Sequence, residues 1–129
     1  MWPQENIPIT HCLYKRIPKD HIDLSLSKPK PIAYKDEELS CDWCEYSNAK
    51  QTRDRVIQYN RDPNSYFVVR MLVNDIKQKT PVLEVKHQPE PENRSHTHVN
   101  GDKKKAIDGV EIRMKLRDMS HWVIPPPSV

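Results

Sequence analysis

The sequence predicts an α+β domain, a small and mostly antiparallel sheet with one main helix and long proline-rich connections. Three observations predict it. Residues 66–73 form a nearly continuous run of β-branched and aromatic side chains, the pattern of an interior strand. Residues 48–59 carry an apolar stripe of Ala49, Val56, Ile57 and Tyr59 behind Ser47, a good N-cap, so they read as the main helix. Twelve prolines against two glycines predict stiff, extended connections. With 129 residues the chain is one domain over 1–129. Hydrophobic residues at 36% and charged residues at 30% imply a modest core and much wet surface.

In chain order, residues 1–10 read as an extended lead-in. Residues 11–17 (HCLYKRI) read as a first strand, ended by Pro18, which cannot donate to a ladder. Residues 18–40, rich in proline and lysine, read as a long surface connection. The helix over 48–59 and the turn Asp62-Pro63-Asn64-Ser65 lead into the strand over 66–73. A polar turn or one helical turn over 74–79 precedes a strand over 81–87, and 88–109 read as a polar loop. Residues 110–117 alternate, with Ile112, Met114 and Leu116 on one side and Glu111, Arg113, Lys115 and Arg117 on the other, so they read as a strand. Residues 122–124 read as a short last strand before a proline-rich tail over 125–129. The expected core is Val68, Leu72, Leu83, Val85, Ile112, Met114 and Leu116.

Composition also narrows the functional classes. A net charge of +3 is weaker than a dedicated nucleic-acid binder shows. No apolar run reaches the roughly 18 residues that span a bilayer, and the start lacks a signal-peptide pattern. Three cysteines, an odd number, argue against a closed disulfide framework, and a cytoplasmic setting is expected.

Reactive side chains are densest over 93–99 (NRSHTHV). In an extended segment His96 and His98 point to one side, and Arg94 shares it, while His87 ends the preceding strand. Two imidazoles with an arginine suit phosphate binding or acid–base work at neutral pH, so His87, His96 and His98 are catalytic candidates. Arg94 and His96, with Arg16 on the first strand, are ligand-binding candidates, because a guanidinium fork matches phosphate. The competing reading is a solvated polar loop in which Arg94 pairs with Glu90 or Glu92. Arg16 on a first core strand is also similar to the arrangement in ADP-ribosyl-transfer folds, whose carboxylate would have to be Glu84 or Glu111. Cys41 and Cys44 have zinc-ligand spacing, yet no second C-x-x-C exists, so no metal or other cofactor is expected. Lys103, Lys104 and Lys105 read as a solvated run.

Residues 13–17 (LYKRI) with 39–43 (LSCDW), and the stretch from His87 through 92–101 (ENRSHTHVNG) with 122–125 (WVIP), resemble a group of small bacterial proteins with no attached activity. In that group the position of His98 can be aspartate, which weighs against a paired-histidine mechanism or a zinc site built on His98. The resemblance implies a bacterial, cytosolic protein and no more; small size, a thin core and the lack of a sharp motif make the expectation an accessory or interaction subunit with a protein partner and no membrane. The alternative is a nucleotide- or nucleic-acid-directed phosphate binder, or a metal-independent nuclease-like enzyme, using Arg94 and His96.

Overall fold

A computed structural model describes residues 1–127. Its centre is a six-stranded sheet built from β1 (Cys12–Pro18), β4 (Glu38–Trp43), β5 (Tyr66–Leu72), β6 (Glu84–His87), β7 (His96–Asn100) and β8 (His121–Ile124). The strand order is β6-β7-β4-β1-β5-β8 and every pairing is antiparallel. A small hairpin of β2 (Ile22–Asp23) and β3 (Lys28–Pro29) forms a second sheet. Helices α1 (Ala49–Asp54), α2 (Val73–Lys79) and α3 (Ala106–Met119) complete the α+β fold. Among the described residues no helix is long and apolar enough to cross a membrane.

One face of the sheet is apolar, carrying Leu13, Ile17, Leu39, Trp43, Val69, Met71 and Val99. With Val73 and Ile76 of α2 and Leu116 and Met119 of α3, these side chains make the core. The opposite face, with Tyr14, Arg16, Ser40, Asp42, His96 and His98, is polar, as strand alternation requires.

The strand expected over 110–117 is a helix. Its apolar residues alternate, but among the described residues Ile112, Leu116 and Met119 face the core, at the i, i+4, i+7 spacing of a helix. Met114, which a strand would bury beside Leu116, is 40% exposed, and a Glu111–Lys115 ion pair at 3.2 Å bridges one helical turn. Leu72 also departs from the expected core, at 37% exposure. Val68, Leu83 and Leu116 are buried as expected, and Val85 and Ile112 pack partly buried against the core.

The helix expected over 48–59 begins one residue later. Asn48 caps it: its side chain accepts from Gln51 N–H at 2.8 Å while Gln51 Oε1 accepts from Asn48 N–H at 3.1 Å. Beyond Asp54 it tightens into a 3₁₀ segment, Arg55–Tyr59, closed by Asn60 at φ +57°. Over 74–79, read as a polar turn or one helical turn, the chain is helical, in α2; the strand over 81–87 is reduced to β6 at the sheet edge, and the expected loop over 88–109 contains β7. The expected connection over 18–40 holds the β2–β3 hairpin. Residues 128 and 129 of the expected tail lie outside the described residues.

The lysine run is not uniformly solvated either. Lys103 is fully buried, and its ammonium donates to the carbonyls of Asp36 (2.8 Å), Glu37 (3.0 Å), Val99 (2.9 Å) and Gly101 (2.9 Å). It thereby gathers the approach to β4 and the exit of β7 around one charge. Gly101 adopts φ +145°, where a side chain is strained and where its Cβ would overlap Leu83. Lys104 and Lys105 are exposed, as expected.

Candidate functional site

The polar face of the sheet is organised by the way β1 and β4 meet. They pair only at Leu13–Trp43 and Tyr14–Asp42. Beyond that point β1 continues beside β5, and β4 beside β7, without pairing to each other. The sheet therefore forks. Antiparallel alternation turns the backbone groups of Arg16 and Ser40 toward the gap, where the ladder no longer satisfies them. A cleft of about 550 Å³ opens there, roofed by α1 and the segment that follows it, and lined among others by Arg16, His21, Arg61, Tyr66, His96 and His98.

A buried carboxylate holds the roof in place. Asp42 is 4% exposed and accepts from Thr52 Oγ1 (2.8 Å), Arg55 Nε (3.2 Å) and Asn93 Nδ2 (2.9 Å). Arg55 also donates to Ser47 Oγ (3.0 Å) and Ser95 Oγ (3.3 Å), and Ser47 bonds Thr52 at 2.9 Å. This network joins β4, α1 and the turn before β7. A buried charge is tolerated because each of its two oxygens finds a donor. Sequence reasoning missed Asp42, Arg55, Asn93 and Ser95, which lie up to 53 positions apart and meet only in three dimensions. The one local signal is Asp42 itself, a carboxylate between Cys41 and Trp43, which are both buried.

Arg16 donates through Nη1 to Thr52 O at 2.9 Å. Among the described residues its Nε and Nη2 have no protein acceptor, so two parallel donors remain for a ligand. His96 and His98 stand ring to ring, 4.7 Å between centroids and nearly perpendicular at 80°. His96 Nδ1 lies 2.9 Å from Gln88 O, a bond that requires Nδ1–H and leaves the Nε2 lone pair free. Burial and the neighbouring His96 push the His98 pKa below its ordinary value. The cleft has five Lys or Arg side chains against three Asp or Glu, and one of those acids, Asp42, is neutralised by Arg55. Lys15, at the fork, lacks a hydrogen-bond acceptor among the described residues, and burial lowers its pKa.

The structure separates other expected partners from this group. His87 is 1% exposed on the apolar side, edge-on to Trp43 at 5.1 Å. Its Nδ1 accepts from Glu5 N–H at 3.0 Å, so its Nε2–H donates to Arg94 O at 2.6 Å, and both nitrogens are consumed. Arg94 does not share a face with His96, because β7 begins at His96 and residues 90–95 turn before it. Its guanidinium lies over the rings of Tyr46 (3.9 Å) and Trp2 (4.7 Å) and near Glu5 (3.7 Å), where it clamps the N-terminal lead-in. Its pairing with Glu90 or Glu92 is replaced by this contact.

Cys41 and Cys44 do not converge on a metal. Cys41 is buried in the core, where burial pushes its thiol up to about 11, while Cys44 faces Cys12. Among the described residues no three His, Cys, Asp or Glu side chains group as metal ligands. Neither Glu84, exposed on the edge strand, nor Glu111, exposed on α3, lines the cleft beside Arg16. Comparison with protein families, with curated proteins and with solved structures finds no match for this chain.

Proposed function

We propose that the protein binds a phosphate-bearing ligand of nucleotide size in the forked cleft. The observation that carries this reading is the arrival of Arg16, His96 and His98, from β1 and β7, in a single cleft of about 550 Å³. That volume suits a small organic ligand, and the excess of cations over carboxylates suits an anion. Arg16 would take the phosphate with its two free donors. His96 would meet it through Nε2, as a donor once protonated. Tyr66 at the cleft wall offers a ring for a base. The chain's compartment, on this reading, is a reducing cytoplasm, in keeping with three unbridged thiols.

The test is titration with inorganic phosphate and with adenosine monophosphate, followed by amide NMR and calorimetry. Shifts centred on Arg16, His96 and His98 are expected. Arg16→Lys loses the bidentate geometry and should weaken binding about tenfold, roughly 1.4 kcal/mol. Arg94→Lys, on the far side, should bind as wild type does. Equal binding in both variants, or shifts centred elsewhere, overturns the site. A second reading, an accessory subunit that docks a protein partner, is favoured by Leu24 and Leu26. They stand 63% and 54% exposed between β2 and β3. It replaces the first if neither probe binds.

A further inference from the structure

The closed end of the fork is formed by two cysteines that are 32 positions apart in sequence. Leu13 opposes Trp43 and Tyr14 opposes Asp42, and the same register carried one residue past the end of β4 brings Cys44 opposite Cys12. The backbone agrees: Cys44 N–H donates to Cys12 O at 3.1 Å, and Cys12 N–H donates to Cys44 Sγ at 3.3 Å. Opposed residues of an antiparallel pair project from one face with Cα atoms about 4.5–5.5 Å apart, inside the roughly 4.4–6.8 Å that a disulfide spans. Both thiols are free and partly exposed, whereas Cys41 is 3% exposed on the other face. The pair is thus placed for a bridge that needs no strand to move.

We propose that Cys12 and Cys44 are a redox-active dithiol that exchanges with small-molecule disulfides and closes into an intramolecular disulfide, leaving Cys41 reduced. Cys44 is the attacking group, because its Sγ accepts the Cys12 backbone N–H at 3.3 Å, a bond that favours its thiolate. Burial and the adjacent Cys44 push the Cys12 thiol up to about 12. The Cys44 thiolate forms a bond to one sulfur of the disulfide RSSR, and the S–S bond breaks to release RS⁻, which takes a proton. Once Cys44 is in the mixed disulfide it no longer carries charge against Cys12, while the Arg70 cation still favours the Cys12 thiolate. Cys12 then gives up its proton and attacks the Cys44 sulfur, expelling the second RS⁻. Two protein thiols are oxidised and one RSSR is reduced to two RSH. The new bond joins the strand that carries Arg16 to the residue that follows the strand carrying Asp42, two residue pairs from the fork.

The test uses the reduced full chain and oxidised glutathione, with acid quenching, alkylation in denaturant and peptide mapping by mass spectrometry. The expected product is a single Cys12–Cys44 bridge with Cys41 alkylated. Cys12→Ser should trap glutathione on Cys44, and Cys44→Ser should leave Cys12 unmodified over the same time. A wild-type chain that stays reduced, a bridge that includes Cys41, or a Cys44→Ser variant that gains glutathione on Cys12 as fast as wild type reacts would each overturn the proposal. The result is independent of whether the cleft binds phosphate.

Discussion

Replacing Lys103 with methionine should be among the most damaging single changes in this chain. The substitution keeps an unbranched stem of similar length and removes the ammonium. Four carbonyls, from Asp36, Glu37, Val99 and Gly101, then lose a donor at 2.8–3.0 Å. An ammonium has three N–H groups, so the four acceptors share three protons. A hydrogen bond to a charged group is worth about 1.5–3 kcal/mol net of its desolvation, so three of them put the destabilisation at about 4.5–9 kcal/mol, comparable to the roughly 5–15 kcal/mol that holds a domain together. Urea denaturation followed by tryptophan fluorescence measures it. The exposed neighbours are internal controls: Lys104→Met and Lys105→Met should stay within about 0.5 kcal/mol of wild type. Three variants with indistinguishable midpoints would refute the buried-ammonium account and restore a uniformly solvated run.

Two further predictions follow from packing and from charge. Leu116→Ala should cost about 2–5 kcal/mol and Met114→Ala under about 1 kcal/mol, because Leu116 is fully buried on α3 and Met114 is 40% exposed; equal costs by denaturation would favour the strand expected over 110–117. His98 has a folded-state pKa lowered by burial and by His96, so below its unfolded value near 6.5 the unfolded chain binds the proton more readily. Stability should therefore fall as pH drops from about 6.5 toward the folded pKa, and the same pH series on His98→Asn should lose that component; an unchanged slope would refute it.

How far the site was legible follows from where its parts come from. His96 and His98 were readable as neighbours on one side, since residues two apart in any strand share a face. Arg16 was readable as a strand arginine, and α1 as a capped helix, from purely local chemistry. His87 and Arg94 were misplaced for one reason: sequence proximity to His96 stood in for spatial proximity. A turn over 90–95 and the contacts of Glu5 and Trp2 carried both to the opposite side. The nearest cysteine in sequence is not the neighbour of Cys44 in space either: Cys44 meets Cys12, across the sheet.

The sequence by itself determined the fold class, the strands at β1, β5, β6 and β8, the main turn signals and the paired imidazoles. All of these rest on local propensity or on a side-chain period within one segment. Only the tertiary structure decided the rest. Residues 110–117 alternate as a strand does, and the packing of Ile112, Leu116 and Met119 against the core made them a helix. Asp42, Arg55, Asn93 and Lys103 look like ordinary surface charge and polarity in the sequence. They became interior because the chain brought them donors and acceptors from distant segments, and a buried polar group is stable only where its partners are also present.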